Sequence, residues 1–107
     1  MNTKKSKDSL GTEWIAKKLG GPMTLGMAIE GLRDLYGASQ TAFAKKLGVS
    51  RAYLCDIEKG RRLVSPGKAA QYAKTLKHPP EYFVQLAIDD LLQAEGLKMK
   101  AHVQNAA

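Results

Sequence analysis

The chain has 107 residues, 44% of them hydrophobic, which is enough for one small core and not for two. A formal net charge of +7 and a pI of about 9.6 suit a polyanionic partner. A single cysteine, Cys55, excludes an internal disulfide and fits a reducing cytosol. No apolar run approaches the length of a membrane span, and the N-terminus lacks the apolar stretch of a signal peptide. A soluble cytoplasmic protein is expected.

Residues 1–21 open with Lys4, Lys5 and Lys7 among small polar residues, a flexible basic segment by composition. Within it Thr12 can cap a short helix from Glu13 to Leu19, with Leu10, Trp14 and Leu19 loosely on one side. Gly20-Gly21-Pro22 then breaks the chain. Three readings are open for Trp14, the sole tryptophan: packing back on the core, anchoring a partner protein, or lying in a basic arm along nucleic acid.

Thr24 starts the next helix, which runs to about Tyr36 and is closed by Gly37. Leu25, Ala28, Ile29, Leu32 and Leu35 or Tyr36 form its inward stripe, with Arg33 as an ionic group beside it. Ser39 caps the helix after that, whose apolar face is Phe43, Ala44 and Leu47. Gly48 follows the last periodic residue, where a left-handed cap is needed. Ser50 then caps a further helix with Leu54 and Ile57 inward. So tight a turn makes the two helices cross steeply, which requires a small residue at the crossing, and Ala44 is small. The wet face of the second helix carries Arg51, Ala52, Cys55, Asp56 and Lys59, and Arg61 and Arg62 follow.

Ser65-Pro66 is an N-cap and first-turn pair that opens a helix to about Leu76, with Ala69, Ala70, Ala73 and Leu76 inside. His78-Pro79-Pro80 ends it, and a last helix runs from Glu81 to about Glu95. Phe83, Leu86, Ala87 and Ala94 can face the core. Val84, Ile88, Leu91 and Leu92 form a second stripe, and a helix apolar nearly all round wants a second partner, most simply a twin subunit. After Gly96 the period changes, and Leu97 to Val103 alternates apolar and polar as a strand does. A lone strand is unstable, so it would pair with its dimer mate or another protein, with an unstructured tail as the alternative.

Charge is divided along the chain. From Ser39 to Lys77 nine bases face only Asp56 and Glu58, whereas His78 to Gly96 holds Glu81, Asp89, Asp90, Glu95 and no Lys or Arg. One side suits phosphate and the other protein. His78, His102 and Cys55 stand at no metal-ligand spacing, so no metal or other cofactor is expected. Without a nucleophile–base pair or a phosphate-cradling glycine loop, an enzyme is not expected either.

The stretch Gln40 to Gly60 resembles the helix-turn-helix of the Cro/C1 (Xre) family, the phage-repressor-like DNA-binding domains. Ala44, Gly48, Leu54, Ile57 and the closing Ile57-Glu58-Lys59-Gly60-Arg61 fall where that family has them, and the likeness covers roughly Leu25 to Phe83. It implies an all-α, five-helix lambda-repressor-like domain over residues 22–95. Residues 1–21 and the C-terminal strand or tail of residues 96–107 lie outside it, and the strand is a departure from the family pattern. The resemblance also implies an ion pair between Arg33 and Glu58, and it assigns Gln40 both to a backbone phosphate and to bracing Arg51.

A recognition helix over about residues 50–58 would lie in the major groove, where base edges are distinguishable. Arg51 on the first turn suits guanine, Ala52 a thymine methyl, and Cys55 the groove edge as a small filler. Asp56 can accept from a cytosine amino group, orient Arg51, or repel wrong sites; family base readers there are more often amides. Gln40, Thr41, Ser50, Tyr53, Lys59, Arg61 and Arg62 are the expected phosphate contacts. The implied function is a sequence-specific double-stranded DNA-binding regulator, a repressor homodimeric on a palindromic operator. Its dimer interface would comprise Val84, Ile88, Leu91, Leu92, Leu97, Met99 and Val103. The alternative is an antitoxin that captures a toxin through Trp14 or the Leu97–Val103 strand and autoregulates through the same domain.

Overall fold

The computed structural model describes residues 23–106, and the short helix and Trp14 expected before Met23 lie outside them. Five helices follow in order: α1 (Leu25–Leu35), α2 (Gln40–Leu47), α3 (Arg51–Glu58), α4 (Pro66–Thr75) and α5 (Pro80–Ala94). The first four begin alike, since Thr24, Ser39, Ser50 and Ser65 each stand extended and accept a hydrogen bond from the N–H three residues on. The fifth has no side-chain cap. Its N-cap position is held by Pro79, whose ring carries no atom that can accept a hydrogen bond, and Pro80 follows at the first helical position. Gly48 ends α2 with φ at 77°, in the left-handed region that releases the chain toward α3.

α2 and α3 pack on each other, α1 lies against α3 and α5, and α4 pairs most extensively with α5. Between them sits one core, whose largest fully buried side chains are Leu25, Ile29, Phe43, Leu54, Ile57 and Phe83. The backbones of α1 and α3 approach closely at Gly26, early in α1, where a β-carbon would run into the carbonyl oxygen of Ile57. Nothing in the periodicity of α1 announces this, because glycine contributes no apolar side chain to a stripe.

Several inward assignments differ from expectation. Leu35 is 76% exposed and Tyr36 48% exposed, because α1 ends there and its last turn overhangs the core. Tyr36 instead lies beside Phe43 and places its hydroxyl 3.2 Å from Nε2 of His78. Ala94 is exposed, since α5 loses its cover from Leu91 onward apart from the half-buried Leu92. Tyr72 is a buried core member that the alanine-rich pattern of α4 did not reveal, as is Val64 in the loop before it, whereas Ala70 is only half-buried.

The alternating stretch from Leu97 to Val103 is neither strand nor helix, and no strand occurs among the described residues. A strand needs backbone partners, and within one chain this stretch has no neighbouring strand to supply them. It is fastened instead by Ala101, whose N–H donates to Oδ1 of Asp89 at 2.6 Å.

Candidate nucleic-acid interface

The short turn Gly48-Val49-Ser50 sets α3 across α2 and leaves the outer face of α3 uncovered. Arg51 and Ala52 are exposed on its first turn, with Cys55 and Asp56 half-buried on the next. Lys59, Arg61 and Arg62 follow directly and are exposed. Asp56 accepts the backbone N–H of Arg61 at 2.8 Å through its carbonyl, which folds the post-helix loop back toward α3. These cations therefore cluster at the C-terminal end of α3.

At the start of α2, Ser39 Oγ accepts from the Ala42 N–H at 3.1 Å, so the earlier N–H groups at Gln40 and Thr41 have no intrahelical partner. Thr41 is exposed and Gln40 half-buried. The Gln40 side chain is committed at both ends. Its Nε2 donates to Glu58 Oε1 at 2.9 Å, and its Oε1 accepts from Arg51 Nη1 at 3.2 Å.

Behind Gln40 lies an ion pair. Arg33 donates from Nε to Glu58 Oε2 at 2.8 Å and from Nη2 to Oε1 at 3.1 Å, a forked contact, and from Nη1 to the Ala38 carbonyl at 3.1 Å. The Glu58 side chain is 1% exposed and that of Arg33 15%. Its hydrogen bond to Glu58 raises the affinity of Arg33 for its proton, outweighing burial, which acts the other way. No buried side-chain polar atom among the described residues lacks a partner.

Asp56 does not hold Arg51. Its charged neighbour is Arg61 Nη1, 3.9 Å away and largely solvated, a weak pair. Arg62 lies with its guanidinium 4.4 Å from the centre of the Tyr53 ring. Burial, and after it the adjoining Tyr53, pushes the Tyr72 hydroxyl up, so Tyr72 stays protonated behind Tyr53. The apolar stripe Val84, Ile88, Leu91 and Leu92 and the tail residues Leu97, Met99 and Val103 belong to α5 and the segment after it, not to this face.

Two links in this arrangement are not legible in the sequence: the bond from Gln40 to Glu58, and the stacking of Arg62 on Tyr53. The first joins residues 18 positions apart on different helices, and no periodicity reports such a contact. Among the described residues no group of His, Cys, Asp and Glu is placed to hold a metal ion, and no helix is long and apolar enough to cross a membrane.

Two short helices crossing at a left-handed glycine, the second with a bare polar face among cations, define a helix-turn-helix DNA-binding domain. The helix-turn-helix family profile matches residues 29–83, more than half of the chain, and the chain belongs to that family, the Cro/C1-type (Xre) DNA-binding regulators. No curated protein and no solved structure matches the chain.

Proposed function

We propose that this DNA-binding regulator is a sequence-specific repressor that binds a palindromic operator as a homodimer, with α3 in the major groove. The observation that carries this reading is Arg51: exposed at the start of α3, with one arm already held by Gln40 and the rest of its fork free. A guanidinium so placed can donate to O6 and N7 of guanine together. Ala52 would lie against a neighbouring thymine methyl, with Cys55 and Asp56 toward the groove edge. Gln40, Thr41, Ser50, Tyr53, Lys59, Arg61 and Arg62 would meet phosphates on either side, the first two through the N-terminus of α2. Phosphate contacts supply affinity, base contacts the choice of site.

The outer stripe of α5 supports a two-fold partner. Val84, Ile88 and Leu92 are only half-buried, and Leu91 is 38% exposed, within the single chain. A C2 dimer through this stripe and the tail after it would present two α3 helices to successive major grooves, about one helical turn apart.

Selection from a randomised duplex pool at stated salt, with the bound species sized afterwards, tests the whole reading. The expected result is a palindromic site carrying guanine at a fixed position in each half, bound by two chains. Arg51→Ala should then weaken one or two operator positions by about 1–3 kcal/mol and relax the choice there. No preference among duplexes, or an equal loss on every sequence in the Arg51→Ala chain, would overturn the assignment.

A further inference from the structure

We propose that Glu58, at the far end of α3 and out of reach of the bases, is a specificity-determining positioning residue that aims Arg51 through the Gln40 amide. The inference rests on the reading of Arg51 as a base contact and adds what holds that contact in place.

Hydrogen bonds have a direction. An ionised carboxylate only accepts hydrogen bonds, and a guanidinium only donates them. Gln40 stands between one of each, with Nε2 2.9 Å from Glu58 Oε1 and Oε1 3.2 Å from Arg51 Nη1. Turned the other way, its amide would set oxygen against carboxylate and NH2 against guanidinium, unfavourable at both ends. The Glu58 charge thus dictates which end of Gln40 faces Arg51. Arg33 in turn fixes the Glu58 carboxylate in place by a forked contact of 2.8 and 3.1 Å. Four side chains therefore form one polarised line, from α1 through the ends of α3 and α2 to the first turn of α3.

This line has a consequence at the DNA face. Arg51 is exposed, and a long exposed side chain loses rotamer freedom on meeting a base. Holding Nη1 on Gln40 beforehand removes part of that loss and leaves the other donors of the fork for guanine O6 and N7. A buried pair that is ordinarily read as structural then acts on one base position and on no other. The pre-ordering of one such side chain corresponds to roughly a three- to tenfold effect on discrimination.

The test uses the full chain on the site obtained by selection, comparing guanine with other bases at the Arg51 position. Gln40→Met keeps the length of the side chain and leaves the Arg33–Glu58 pair intact while cutting the line. Glu58→Gln keeps the shape but lets the Gln40 amide turn. Should that chain not fold, the double exchange Arg33→Met/Glu58→Met replaces the pair with apolar side chains of similar length. We expect each to lose about three- to tenfold in discrimination at that one position. Preferences elsewhere and the salt dependence should be unchanged, and no further loss of discrimination should appear in an Arg51→Ala background. Retained discrimination in the Glu58 variant, where Arg51→Ala loses it, overturns the positioning role of Glu58 alone, whatever Gln40→Met does. A loss spread evenly over all operator positions does the same, since it marks a purely structural pair. Unchanged preference in Arg51→Ala itself overturns the base-reading assignment and the positioning role with it.

Discussion

Arg62 shows how a surface cation can be ordered without an acid. Its guanidinium rests 4.4 Å over the Tyr53 ring, beside the chain turn that Asp56 closes through its carbonyl. Removing the stack should lower stability only slightly, since exposed contacts of this kind contribute about 0.5–1 kcal/mol. Its proposed work is on DNA phosphate. Arg62→Ala should weaken binding to every duplex alike and lower the slope of log affinity against log salt by about one unit. Salt titrations that give the same slope for both chains would remove Arg62 from the phosphate contacts. Arg33 and Glu58 illustrate the opposite regime: little solvent screens them, so losing one member strands a charge, at about 3–5 kcal/mol.

At the scale of elements, two glycines in one helix separate close approach from mere flexibility. Gly26 sits where α1 meets the end of α3, and a β-carbon there would collide with the Ile57 carbonyl. Gly31, one and a half turns later, has open space around the same position. Gly26→Ala should therefore destabilise by about 1–3 kcal/mol or more, as overpacking does, although alanine is the better helix former. Gly31→Ala should stabilise by roughly 0.5–1 kcal/mol. Denaturant midpoints of the two variants decide the matter, and a stable Gly26→Ala chain would mean that the two helices can part cheaply. For α5, the proposed two-fold partner predicts that Ile88→Glu sediments as a monomer with its helical content retained. A dimer that survives this exchange has its interface elsewhere.

At the scale of the whole molecule, charge is divided between a basic middle and an acidic last helix, and one acid of that helix is built into the domain. Asp90 Oδ2 accepts the N–H of Leu25 at 3.1 Å and so ties α5 to the start of α1. Burial pushes its carboxyl above the usual carboxylate range, and the Leu25 N–H opposes this less strongly. A folded-state pKa above the unfolded one means that the favourable contribution exists in acid and is lost as pH rises through the folded pKa. Asp90→Asn, which keeps an oxygen for Leu25 and removes the charge, should be at least as stable as the parent at neutral pH. That advantage should close in acid below the range where a free aspartate titrates, as read from unfolding midpoints against pH. An Asp90→Asn chain less stable at neutral pH than the parent would show that the hydrogen bond outweighs burial. Much of the architecture was legible in the residues because its signals span only a few positions. Thr24, Ser39, Ser50 and Ser65 mark helix starts, Gly48 marks the left-handed turn, and the stripes of Phe43, Ala44, Leu47, Leu54 and Ile57 name the inward faces. The Arg33–Glu58 pairing came from family likeness, not from any spacing. What remained hidden was relational: the link from Gln40 to Glu58, the burial of Tyr72, the overhang that exposes Leu35 and Ala94, and the contact that demands glycine at position 26. Caps and periodicity act through bonds between near neighbours, whereas these depend on where one helix ends against another, which is settled only when the core closes.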